Sequence, residues 1–236
     1  DALVGMQLFF KCENFQKVGA FKFRGATNAV RSLDEESAAR GVLTHSSGNH
    51  AQALALAARR RGIPAWVVMP TNAPGVKRRA VEGYGAEIVP CEPTLEAREA
   101  GAAAVQARTG ATFIHPYDDA RVIAGQGTAA LELLEQVPDL DAVIVPVGGG
   151  GLCSGTCIAV PGRAPDVPVS GAEPAAADDA ARSLAAGALI PVGATETIAD
   201  GLRTSLSPLT FGILRAHLAG LPTVAEDEIV HAMRMI

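Results

Sequence analysis

Ala142-Val-Ile-Val-Pro-Val147, followed at once by Gly148-Gly149-Gly150-Gly151 and then by Leu152-Cys-Ser-Gly-Thr-Cys157, is the stretch that decides how the chain reads. An apolar strand runs into a turn of four glycines, and a helix leaves that turn. Four glycines in a row cost considerable chain entropy on folding. What they allow is a turn whose N–H groups converge, a nest that cradles phosphate. Two nucleotide folds also place glycines after a strand. The dinucleotide pattern needs a glycine three residues beyond Gly148-x-Gly150 or Gly149-x-Gly151, and those places hold Cys153 and Ser154. Glu173, at the end of the next strand, mimics the ribose-binding acid, but the glycine spacing fails. No Gly-Lys-Ser/Thr is present, which excludes a P-loop.

Outward from that turn, short apolar runs alternate with Ala-rich amphipathic runs. The pattern predicts strands over 7–11, 41–44, 65–69, 87–90, 112–114, 142–147 and 167–172. It predicts helices over 22–32, 49–61, 74–84, 94–108, 125–136, after the glycines, and from 226 onward. Alternation with short connections implies an α/β chain with open, parallel-type sheets flanked by helices. Ligands in such folds gather at the carboxyl ends of strands. Boundaries near residues 40 and 118 predict two lobes, a small one over 41–118 and a large one built from 1–40 and 119–236.

The bulk properties narrow the function classes. The chain has 236 residues, 48% of them hydrophobic and only 4% aromatic, so its core must be mostly aliphatic. Net charge is -5, and Lys77-Arg78-Arg79 is too short a basic run to expect nucleic acid. Arg59-Arg60-Arg61 reads as a helix C-terminus, where cations complement the carbonyls. No apolar run approaches the ~20 residues of a membrane span. Cys12, Cys91, Cys153 and Cys157 form no CxxC pair, which reads as reduced thiols in a cytoplasmic protein.

Three further places carry chemistry. Of the 20 basic side chains only Lys11, Lys17, Lys22 and Lys77 are lysines. Lys22 sits among small and apolar neighbours in Gly19-Ala-Phe-Lys-Phe-Arg-Gly-Ala26; desolvated there it is an amine nucleophile, and otherwise a helix-surface lysine. Thr44-His-Ser-Ser-Gly-Asn-His50 follows a strand and opens a helix, either as a cap or as an anion-binding loop. Glu173-Pro-Ala-Ala-Ala-Asp-Asp179 supplies oxygen ligands for Mg²⁺ or Ca²⁺, or else an acidic helix start. His115, His217 and His231 read as ordinary surface or core histidines.

Together, Lys11-Cys-Glu-Asn-Phe-Gln16, the Lys22 motif, Ser46-Ser-Gly-Asn-His50 and the glycine run resemble fold-type II pyridoxal-phosphate enzymes. Within that group the chain looks like the serine racemase and threonine (serine) dehydratase branch. Ile114-His-Pro-Tyr-Asp-Asp119, Ile123-Ala-Gly-Gln-Gly-Thr128 and Thr197-Ile-Ala-Asp-Gly201 extend the likeness. The resemblance implies that Lys22 holds pyridoxal 5'-phosphate covalently and acts as base on the substrate Cα. Phe21 would pack beside the cofactor ring, and Asn49 would bond its phenolic oxygen. Gly148, Gly149, Gly150, Gly151 and the Leu152 amide would hold the phosphate. Ser46, Ser47, Asn49 and His50 would surround the substrate carboxylate, with Ser47 also facing Cα opposite the lysine. Glu173, the Ala177 carbonyl and Asp179 match the divalent-cation site of metal-activated members. The implied partners are a small hydroxy-amino acid and further copies of the chain, as a homodimer or homotetramer. Members of the group run longer, so N- and C-terminal segments of the family, including the contact to the pyridine nitrogen, are expected outside these residues.

The expected reaction is loss of water and ammonia from L-threonine or L-serine to a 2-keto acid. Serine or aspartate racemisation and dehydration of 3-hydroxyaspartate or phenylserine are alternatives within the class. A non-catalytic cofactor-binding protein and a nicotinamide-dependent enzyme are alternatives outside it, the latter disfavoured by the glycine spacing.

Overall fold

The computed structural model describes residues 5–193 and 195–236. Helices α1 (Lys22–Arg31) and α2 (Glu35–Ala39) precede strand β1 (Val42–His45), α3 (Asn49–Arg61) and β2 (Ala65–Pro70). Then come α4 (Gly75–Gly83), β3 (Glu87–Cys91), α5 (Leu95–Thr109), β4 (Thr112–Phe113) and α6 (Ala120–Gln136). The chain continues through β5 (Val143–Pro146), α7 (Gly151–Ala159), β6 (Val169–Pro174), α8 (Asp179–Ala186), α9 (Pro208–His217), β7 (Thr223–Val224) and α10 (Glu226–Met235).

The strands form two parallel sheets. One has the order β3-β2-β1-β4, with Val42 opposite Ala65 and Thr112. The other has the order β5-β6-β7, with Val143 opposite Val169 and Glu173 opposite Thr223. Alternation decides the core: Val143, Val145 and Val147 are buried, whereas Ile144 between them is 73% exposed. The α/β architecture expected from the pattern is therefore present, with both sheets parallel and helices packed on them.

Three helices cross at unusually short range and connect the sheets. A Cβ on Gly125 of α6 would lie 2.6 Å from the Gly25 Cα of α1. A Cβ on Gly127 would lie 2.8 Å from the Gly155 carbonyl oxygen of α7. Glycines at these crossings let backbone meet backbone, which no side chain permits. Gln126, fully buried, accepts the Gly25 N–H at 3.1 Å and locks the same crossing.

Several expected elements differ. Residues 7–11 are not a strand. The segment is anchored instead through Lys11 Nζ, 2.9 Å from Glu132, and through Glu13, which Arg24 grips with two bonds of 2.8 Å while also reaching Glu132. Glu132 is held at about 2, well below the usual carboxylate range, by hydrogen bonds from Arg24 and Lys11. Helix α6 starts at Ala120, capped by Asp119 accepting from the Arg121 N–H, five residues before the expected position 125. The Gly125 and Gly127 run masked that first turn. Strand β6 extends to Pro174, so Glu173 lies within it. Helix α8 begins at Asp179, where an acidic helix start was one of the two alternatives, whereas α2, α9 and the two-residue β7 were not expected; α9 is signalled by Ser207 capping the Thr210 N–H ahead of Pro208.

Candidate active site

A cavity of about 770 Å³ opens between the carboxyl ends of the strands of both sheets. That volume falls in the range of small-molecule sites. Phe21, Lys22, Ser46, Ser47, Asn49, His50, Gly148, Gly149, Gly150, Gly151 and Leu152 all line it. The structure thus brings together the lysine, the Ser-Gly-Asn turn and the glycine run from three separate stretches of chain. Glu173, Ala177 and Asp179 do not line it.

Lys22 opens α1. Its Nζ is part-buried in the cavity wall and donates to the Pro116 carbonyl at 2.9 Å, with no carboxylate partner among the described residues. Burial alone pulls the ammonium down from its ordinary value to about 8. The Nζ also lies 5.1 Å from the Phe21 ring centroid, which keeps that wall apolar. A neutral amine is therefore accessible near physiological pH, and the surface-lysine alternative falls.

The glycine run is shaped by what it approaches. Gly150 caps α7 with a φ of 83°, the left-handed region. Gly149 packs on Tyr117, whose ring carbons would stand 2.5 Å from any Cβ there. The Ser154 N–H bonds the Gly150 carbonyl at 2.7 Å, so the amides of the preceding turn have no helical acceptor. Free amides at the start of a nine-residue helix make an anion site, and the cradle fits a phosphate group.

The turn before α3 is not a side-chain cap. Its N-cap is Gly48, with no capping side chain, and Ser46 Oγ accepts the Gly48 N–H at 3.2 Å. Of the two sequence alternatives the side-chain cap at α3 therefore falls, and the turn lies along the cavity wall. His50 is buried, and its Nε2 bonds the Ile114 carbonyl at 3.0 Å. A carbonyl only accepts, so Nε2 carries the proton. Nδ1 is left as an acceptor without a partner among the described residues. Desolvation holds this ring near 3, permanently neutral. A neutral ring accepting at Nδ1 suits a ligand N–H or O–H, so a carboxylate beside it must be held by the hydroxyls and amides of the turn.

Several cavity residues were missed by sequence reasoning. His115, expected to be ordinary, lines the cavity and accepts the Asp118 N–H at Nδ1, 2.8 Å away. Burial lowers it to about 4. Its ring meets Tyr117 edge-on at 4.6 Å. Arg98 of α5 faces the same space, as does Lys77 of α4, whose Nζ is 3.5 Å from Asp200 across the opening. None of these has a local motif. Only the apolar period of α5 and the Ile114–Asp119 run hinted at them.

Glu173 and Asp179 lie behind the cavity, both 2% exposed. Glu173 Oε1 accepts the Ala181 N–H at 2.7 Å, and Asp179 Oδ2 has no partner. Burial raises Glu173 to about 7 and Asp179 to about 6. The two carboxylates are buried, one oxygen is orphaned, and neither side chain forms an ion pair among the described residues, a chemistry compatible with a hard cation. Among the described residues no group of three or more His, Cys, Asp or Glu side chains forms a metal cluster. All four cysteines are free thiols, and no helix of the described residues is long and apolar enough to cross a membrane.

Comparison with known proteins identifies the family and the fold. The family described as "Pyridoxal-phosphate dependent enzyme" matches residues 1–236. A beta-hydroxyaspartate dehydratase of Paracoccus denitrificans is 56% identical over 236 residues, covering 100% of this chain and 75% of the relative. The solved structure of maize serine racemase has a TM-score of 0.97 at 51% identity, covering 100% of this chain and 71% of that one. The solved serine racemase of Dictyostelium discoideum has a TM-score of 0.95 at 52% identity, covering 99% and 75%. With the lysine, the glycine cradle and the parallel sheets in place, the chain belongs to the fold-type II pyridoxal-phosphate dependent enzymes.

Proposed function

We propose that the cavity releases ammonia from a small β-hydroxy-α-amino acid, giving a 2-keto acid. The observation that carries this is the buried, carboxylate-free Lys22 amine in one cavity with the glycine phosphate cradle. Pyridoxal phosphate supplies the electron sink for charge developing at Cα when it is bound. The chain supplies the rest. The amides of the Gly148–Gly149–Gly150–Gly151–Leu152 run would hold the phosphate, and Phe21 would pack beside the ring. Asn49 would bond the phenolic oxygen. Ser46, Ser47 and Asn49 bind the substrate carboxylate beside neutral His50. Lys22 Nζ takes the Cα proton, for which an amine near 8 is well matched to neutral pH.

L-Serine, L-threonine and 3-hydroxyaspartate are the substrates to compare, by keto-acid release from the cofactor-loaded protein. Absence of keto acid from all three sinks the reading. Ser47 lines the same cavity as Lys22, and serine racemases are among the relatives, which favours a second reading, racemisation at the same Cα. Chiral analysis of the residual serine distinguishes the two.

Arg98, in the cavity wall, supports a substrate with a second carboxylate, and so does the dehydratase relative. A charged hydrogen bond contributes about 1.5–3 kcal/mol. Arg98→Ala is therefore expected to lower the ratio of kcat/KM for 3-hydroxyaspartate over L-serine by about 10–100-fold. An unchanged ratio removes Arg98 from substrate recognition.

Glu173, the Ala177 carbonyl and Asp179 are proposed to bind Mg²⁺ or Ca²⁺. Added Mg²⁺ should raise the melting temperature of the wild type, and a chelator should reverse the rise. Asp179→Asn should abolish the response to both. An equal Mg²⁺ response in Asp179→Asn would place the cation elsewhere.

A further inference from the structure

Away from the cavity, α1 and α3 pack side by side, and their C-terminal turns enclose a recess of about 480 Å³. Helical spacing builds it. Thr27 and Arg31 are four apart on α1, and Ala57, Arg60 and Arg61 share the facing side of α3. The small Thr27 and Ala57 form the floor, and three arginines form the rim.

The arginines are not equivalent. Arg61 is committed, donating to the Val30 carbonyl and to Glu35 Oε1 at 2.9 Å. It already satisfies the role of a cation at a helix end. Arg31 and Arg60 are exposed, and among the described residues neither pairs with a carboxylate. Thr27 Oγ1 is shielded from solvent and has no partner among the described residues. Two helix C-termini each carry roughly half a negative charge. Set against three guanidinium groups, Glu35 and Asp34, they leave the recess close to neutral, so that Arg31 and Arg60, which face no carboxylate among the described residues, are its free donors.

We propose that this recess binds a phosphate-type oxyanion, either free phosphate or the phosphate of a monoester. Guanidinium forks suit such oxygens. Arg31 on α1 and Arg60 on α3 offer two such forks from the two helices that line the recess. The recess lies at the opposite ends of α1 and α3 from Lys22 and Asn49, so it is separate from the glycine cradle.

The test uses the cofactor-loaded protein, in which the cradle is filled. Calorimetric titration with inorganic phosphate and, separately, with glycerol 3-phosphate is expected to show one saturable site that weakens with added chloride. Tighter binding of phosphate assigns the free anion, and tighter binding of the ester assigns the carried one. No saturable binding of either up to about 10 mM, weaker than about -3 kcal/mol, overturns the proposal. The double variant Arg31→Glu with Arg60→Glu is expected to lose at least tenfold in affinity. If it fails to fold, Arg60→Ala, at an exposed position, is expected to weaken binding up to about fivefold. Wild-type affinity in whichever variant folds also overturns it.

Discussion

Lys22→Ala is expected to give a folded, colourless protein with no measurable keto-acid release. The wild type, loaded with cofactor, should be yellow, and the variant should lose the absorption band of the lysine-bound cofactor. The proton transfer alone contributes about 10²–10⁴-fold, and loss of covalent attachment adds to that. The variant should melt at or above the wild-type temperature without cofactor, because a buried amine is costly to desolvate. The same amine sets a pH dependence. Below about 8 Lys22 is an ammonium, which attacks no carbonyl, and above that value it is the reactive amine. Attachment of pyridoxal phosphate to the cofactor-free protein should therefore speed up as pH rises through about 8 and then level off. A yellow Lys22→Ala protein with turnover within tenfold of wild type would falsify the assignment, and an attachment rate that is flat across that range would remove the buried-amine explanation.

Gly155→Ala is expected to have the largest effect on stability. A Cβ at Gly155 would stand 2.6 Å from the Gly127 nitrogen and press on the Ile123 carbonyl. Both neighbours are helix backbone, and neither can swing aside. Overpacking of this kind costs about 1–3 kcal/mol, and at this chain length each kcal/mol lowers Tm by about 2–4 °C. The damage is not confined to stability. α7 carries the glycine cradle at its start, and α6 bridges α7 to α1, which carries Lys22. Spreading α6 from α7 moves the cradle relative to the amine, so cofactor affinity should fall along with Tm. Gly212→Ala, where nothing lies within 4 Å of the added Cβ, is the control and should be close to neutral. Gly155→Ala melting within a degree of wild type would show that the crossing relaxes at little cost.

Much of the site was readable because its chemistry is local. The four glycines after an apolar run, the lysine among small residues and the Ser-Ser-Gly-Asn turn each need only their own neighbours in the chain. The parallel sheets follow in the same way from alternating strand and helix periods. What was not readable depends on partners distant in sequence. Residues 7–11 have a strand-like pattern, yet no strand pairs with them among the described residues, and their anchors are Arg24 and Glu132. The start of α6 was hidden because Gly125 and Gly127, poor helix formers, are there for contact with Gly25 and Gly155. His115, Arg98 and Lys77 belong to the cavity only because β4, α5 and α4 deliver them to one opening.

The amino-acid sequence by itself thus determined the α/β class, the parallel strands and the glycine turn that follows a strand and opens a helix, since strand period and glycine freedom act over a few residues. That the Lys22 amine is part-buried and pushed down towards neutrality was decided only by the tertiary structure. Its pKa depends on packing beside Pro116 and Phe21 with no carboxylate partner among the described residues, and desolvation is a property of the packed surroundings rather than of the peptide that carries the side chain.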